Sequence, residues 1–149
     1  MFKAMGDLAK EINSKFANNK QKALVNIMFT GNWISSCQNE FFKPYGISPQ
    51  QYNILRILRG AGEALNVQVI KERMIERAPN ATRLMDKLCA KELIERLPCA
   101  NDRRVVKIAI TEKGLKLLAS VPDDFNKDLI KNLTEEEAEQ LSLLLDKMR

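Results

Sequence analysis

The feature that most constrains this chain is a double change of hydrophobic period at its centre. Two short helical patterns follow one another across a brief turn, and two strand-like runs come directly after them. Over residues 66–75, Val67, Ile70 and Met74 recur at helical spacing, Lys71, Glu72 and Arg73 take the other side, and Asn66 is placed to cap the start. Pro79 suits the first position of a second helix over residues 79–90, because the amide it lacks is one that a helix start leaves unpaired. Beyond it, the aliphatic and β-branched runs 94–97 and 105–110 flank the polar stretch Pro98-Cys99-Ala100-Asn101-Asp102-Arg103-Arg104. That arrangement predicts a two-stranded hairpin with a charged tip.

Helical patterns surround this centre. Leu24, Ile27, Met28, Ile34 and Phe41 mark one face of a long helix over residues 23–42, ended by Pro44 and Gly46. Ser48 and Pro49 begin another over residues 49–59, with Tyr52, Leu55 and Leu58 on one face and Gly60 beyond. Thr111 can cap a helix that Pro122 interrupts. A capping box over residues 133–138 opens a last helix striped by Ala138, Leu141, Leu144, Leu145 and Met148. The expected division is 1–44 and 119–149 for terminal helices and 45–118 for the central domain. Apolar stripes on terminal helices with no evident partner in so small a centre point to a second copy of the chain. The alternative is that they pack within one monomer, with Phe29, Trp33 and Phe41 as core.

Charge is concentrated in the middle. Residues 50–114 hold thirteen Lys/Arg against eight Asp/Glu, an excess equal to the whole net charge of +5, while residues 1–49 hold six against three and residues 115–149 five against eight. A polyanion would therefore be met by the centre. On the predicted helix 79–90, Ala81, Leu84, Met85 and Leu88 share the docking face, which leaves Asn80, Thr82, Arg83, Asp86 and Lys87 outward. Asn, Thr and Arg near a helix start suit base edges in the DNA major groove, though such a mixture also covers ordinary solvated helices. The hairpin tip tips the balance: Arg103 and Arg104 lie where no core can use them, and a narrow minor groove attracts inserted arginines. Asp102 can hold one guanidinium there, or the tip can be a surface turn with a local ion pair. Arg73, Arg77, Lys91 and Lys107 have the character of phosphate contacts.

The run Ala81-Thr82-Arg83-Leu84-Met85-Asp86-Lys87-Leu88, followed by Leu93-Ile94-Glu95-Arg96, Asp102-Arg103-Arg104 and Ile110-Thr111-Glu112-Lys113-Gly114, resembles the MarR family of bacterial regulators. The likeness is close over residues 48–114 and looser in the flanking helices. It implies a mainly α fold with a small β-hairpin wing, a winged helix-turn-helix carried by N- and C-terminal dimerisation helices. It further implies a homodimer on double-stranded DNA, a recognition helix at 79–90, a wing whose Arg104 enters the minor groove, and a small-molecule effector pocket between the dimerisation and DNA-binding parts. Two departures stand out: Ala78 replaces a frequent Ser that would cap the recognition helix, and Glu92 replaces the usual Gly after it.

Other classes fit less well. The chain has no histidine, no Gly-rich phosphate loop and no recognisable nucleophile motif, so it is not expected to be an enzyme or to carry a cofactor or metal. It has neither a signal-peptide pattern at residues 1–20 nor an apolar run of membrane-spanning length, which predicts a cytoplasmic protein. A winged-helix module for protein docking is the rival on the same fold, but it would not need two arginines at the wing tip. Cys37, Cys89 and Cys99 form no CxxC pair. Cys37 and Cys89 read as small buried hydrophobes and Cys99 as more exposed, the alternative being a cysteine-based redox-sensing regulator.

Overall fold

The computed structural model describes residues 6–77 and 79–149, which fall into two units, 1–41 and 42–149. In the first, a single turn α1 (Leu8–Glu11) is capped by Asp7, whose carboxylate accepts the Ala9 amide at 3.2 Å. Helix α2 (Asn19–Phe42) starts four residues before the predicted 23. The reason is local: Asn18 Oδ1 accepts the Gln21 amide at 2.9 Å and Gln21 Oε1 accepts the Ala17 amide at 2.7 Å. The first bond satisfies one of the donors that a helix start leaves open, and the second ties the Gln21 side chain back to the residue before the cap. Along α2, Leu24, Ile27, Met28, Phe29 and Trp33 are exposed. The helix stops where expected, as Lys43–Tyr45 tighten into a 3-10 turn and Gly46 adopts φ +68°.

The second unit continues with α3 (Pro49–Ala61), β1 (Leu65–Asn66), α4 (Val67–Arg73), α5 (Ala81–Ala90), β2 (Ile94–Pro98), β3 (Val106–Ile110), α6 (Glu112–Ser120), α7 (Lys127–Ile130) and α8 (Glu135–Met148). Helix α3 runs two residues past the predicted end. Gly60 lies inside it, and Gly62, at φ +67°, is the left-handed residue that closes it. The sheet is antiparallel in the order β1-β3-β2, with Leu65 opposite Ile108 and Ile94 opposite Ile110. Strand β1 was not predicted, since two residues carry no readable period. Asn66 closes β1 opposite Lys107 and stands at the N-cap position of α4, where its side chain makes no cap bond. Pro98 ends β2, an edge strand, where a missing amide donor is tolerated.

The core gathers Ile54, Leu55 and Leu58 of α3, Ile70 of α4, Met85 and Leu88 of α5, and Ile94 and Ile108 of the hairpin, all essentially without solvent contact. Phe42 is fully buried too, its ring 4.6 Å from Tyr52 and meeting Phe125 edge-on at 5.2 Å. Burying one such ring contributes about 2–3 kcal/mol. Among the described residues Gln51 is the one buried polar side chain, and both of its ends are used. Its Oε1 accepts the Ser48 amide while the Gln51 amide donates to Ser48 Oγ, completing a capping box, and its Nε2 donates to the Leu84 carbonyl at 3.4 Å. The helix that reads as recognition element is thereby tied to α3. The capping box predicted at the last helix is present, with Thr134 and Glu137 exchanging bonds of 3.2 and 2.9 Å. Among the described residues, no helix is long and apolar enough to cross a membrane.

The exit from α5 keeps its geometry despite the departure at Glu92. The Glu92 amide donates to Cys89 O at 2.9 Å and the Leu93 amide to Leu88 O at 3.0 Å, a Schellman closure with Glu92 at φ +62°. A side chain in the left-handed region costs roughly 1 kcal/mol. The exposed Lys113–Glu92 pair at 3.2 Å offsets only part of it. Glu92→Gly is therefore expected to raise stability by about 1 kcal/mol, read as a higher urea midpoint at unchanged m-value. A lower midpoint would show that the Lys113–Glu92 ion pair outweighs the strain of a left-handed side chain. Gly114 closes the same corner, since a Cβ there would run into the Leu93 carbonyl oxygen.

Candidate nucleic-acid interface

Helix α5 is sharply two-sided. Ala81, Met85 and Leu88 are buried and Leu84 half-buried, whereas Thr82, Arg83, Asp86 and Lys87 are exposed. Its start corrects the predicted one at Pro79. Pro79 and Asn80 form a turn, the helix begins at Ala81, and its first i to i−4 bond runs from the Leu84 amide to Asn80 O at 3.0 Å. Asn80 occupies the cap position with its side chain exposed and making no cap bond. Ala78, whose missing hydroxyl was the other departure from the family pattern, lies outside the described residues.

The turn before α5 is held from α3. Asn53 Oδ1 accepts the Ile75 amide at 3.0 Å, and Gln50 Nε2 donates to Glu76 Oε2 at 2.9 Å. Neither brace is visible from sequence, because each joins residues more than twenty positions apart. Arg73, the last residue of α4, and Arg77, in the turn, are both exposed. Arg77 lines an open cavity of about 690 Å³ together with Gln68, Lys71, Glu72, Met74 and Pro79.

Past β2 the hairpin tip carries Asp102, Arg103 and Arg104, all exposed. Asp102 does not take the guanidinium predicted for it. Its Oδ1 accepts the Arg104 backbone amide at 2.9 Å, so the carboxylate shapes the turn and leaves the arginine side chain to other partners. Lys91, also exposed, donates from Nζ to the Gly46 carbonyl. Lys107 sits half-buried in β3 between Asn66 and Leu97. Among the described residues Arg73, Arg77, Arg83, Lys87, Arg103 and Arg104 make no ion pair and are open to an external anion.

One charged contact was missed altogether. Arg96 of β2 binds Asp86 on the exposed face of α5, and the carboxylate raises the Arg96 pKa above its ordinary value. The cysteines are all free and half-buried, including Cys99, which was expected to be more exposed. The backbone amides of Asn101 and then Asp102, with help from the charge of Lys107, hold the Cys99 thiol below the usual cysteine range.

These features coincide with a known family. The MarR family model matches residues 47–106. The multiple antibiotic resistance protein MarR of Escherichia coli K12 is 32% identical over 114 residues, covering 74% of this chain and 78% of that protein. The transcriptional regulator MhqR of Bacillus subtilis is 31% identical over 118 residues, covering 77% and 81%. Among solved structures, a cysteine-to-serine variant of E. coli MarR complexed with operator DNA is 28% identical with a TM-score of 0.74, over 96% of this chain and 99% of that one. The chain belongs to the MarR family of winged helix-turn-helix transcriptional regulators.

Proposed function

We propose that two copies of this chain grip one pseudo-palindromic operator in the cytoplasm and repress transcription there. Helix α5 lies in the major groove with Asn80, Thr82, Arg83 and Lys87 toward the bases and adjoining backbone, and the wing tip sets Asp102, Arg103 and Arg104 at the flanking minor groove. Arg73 and Arg77 hold phosphates and so fix register without reading sequence. The observation that carries this reading is the coincidence of two sets of exposed cations that pair with nothing among the described residues: Arg83 and Lys87 on the outer face of α5, and Arg103 and Arg104 at the hairpin tip. The docked face of α5 explains why the outer side chains are presented rigidly, since Gln51 and the braces from Asn53 and Gln50 hold the helix and the turn before it.

The test is a binding titration against duplexes taken from upstream of the protein's own gene, with single-base variants of each half-site. Arg83→Ala is expected to relax preference at one position per half-site by about 1–3 kcal/mol. An equal loss on every sequence would assign Arg83 to the backbone instead.

A further inference from the structure

We propose that Asp86 and Arg96 form a positioning pair that locks the wing to the recognition helix, so that helix and wing engage DNA as one rigid unit. This rests on the DNA-binding reading above and adds to it a cause for the wing's orientation. Arg96 stands opposite Ile108, the last fully buried residue of the hairpin on the way to the tip. Beyond that point Leu97, Pro98 and Val106 are exposed and Cys99, Val105 and Lys107 only half-buried, so no fully buried residue holds the distal hairpin. At this root, and ten residues away along the chain, the Arg96 guanidinium meets the Asp86 carboxylate. Among the described residues no other ion pair joins α5 to the hairpin.

The charge of Asp86 makes the inference sharp. It lies near the middle of the outward face of α5, between Thr82 and Arg83 on the helical wheel. A carboxylate there repels phosphate, so on charge alone its removal tightens binding to any duplex. A positioning role has the opposite sign. Without the pair the wing swings about its root, and ordering it on the duplex costs conformational entropy that the locked wing has already lost.

The experiment measures operator affinity at one fixed salt concentration for the full-length protein, for Asp86→Asn, for Arg96→Gln and for both together, each also combined with Arg104→Ala. Asp86→Asn is expected to weaken binding by about 5- to 20-fold although it removes a negative charge, and Arg96→Gln similarly, with the double variant no worse than either. In the Arg104→Ala background the same substitutions are expected to have less than a twofold effect, because a wing without its arginine gains nothing from being held. Both side chains are about half exposed, so thermal midpoints should move little. Tighter or unchanged binding by Asp86→Asn overturns the proposal. So does a loss that persists in the Arg104→Ala background, which would make Asp86 or Arg96 a direct DNA contact. A wild-type protein that binds no duplex overturns the DNA-binding reading itself, and this inference with it.

Discussion

Arg104→Ala is expected to lower operator affinity by about 30- to 700-fold for a dimer, corresponding to roughly 1–2 kcal/mol lost at each of two wings. The residue is exposed, and its backbone is already fixed by the Asp102 carboxylate through a 2.9 Å bond to its amide. The side chain is thus projected from a set turn and makes no hydrogen bond or ion pair among the described residues. A narrow minor groove focuses negative potential that a guanidinium meets well, being planar, always charged and weakly hydrated. Alanine loses all of this, while Arg104→Lys keeps the charge and should recover only part of the affinity. Because the Arg104 side chain is exposed, the thermal midpoint should stay within a degree or two. Anisotropy titrations at fixed salt decide the matter, and an Arg104→Ala protein within twofold of wild type would remove the wing from the interface.

What sequence alone discloses divides along a physical line. Elements whose evidence is periodic or local were legible: the α4 and α5 stripes, the runs that pair as β2 and β3, the Thr134 to Glu137 capping box, and the exposed arginines of the tip. Elements set by tertiary partners were not. Strand β1 exists because Leu65 finds Ile108 more than forty residues on, and Asn66 beside it keeps the cap position of α4 without the side-chain bond its identity suggests. The 3-10 corner brings the Gly46 carbonyl to Lys91 Nζ, a contact between residues 45 positions apart that no local pattern announces. Glu92 shows the limit of a composition rule, since two backbone bonds over-determine the turn and hold a non-glycine at φ +62°. For the candidate site, residue types on a wheel give the outward set on α5. Only the structure shows that one of that set, Asp86, is engaged by Arg96.

The second large effect is expected at α8, where Leu141→Asp combined with Leu144→Asp should yield a monomer by sedimentation and lower operator affinity at least a hundredfold. The helix starts in a satisfied capping box, and it leaves Leu141, Leu144 and Met148 at 46%, 64% and 60% exposure, a cost that the proposed second copy relieves. A carboxylate placed inside such an interface is desolvated without a partner, a penalty of about 3–5 kcal/mol that two-fold symmetry imposes twice. The monomer then grips a single half-site and loses the effective concentration that a tethered second reading head provides. Leu143 supplies the control. It is 62% exposed and so nearly identical to Leu144 in chemistry and accessibility, but at 100° per residue it stands on the far side of the helix from Leu141 and Met148. Leu143→Asp is accordingly expected to remain dimeric and to bind DNA as wild type does, with helical content by circular dichroism unchanged in all three proteins. If Leu143→Asp dissociates the protein while the Leu141 and Leu144 double variant does not, the self-association face has been put on the wrong side of α8.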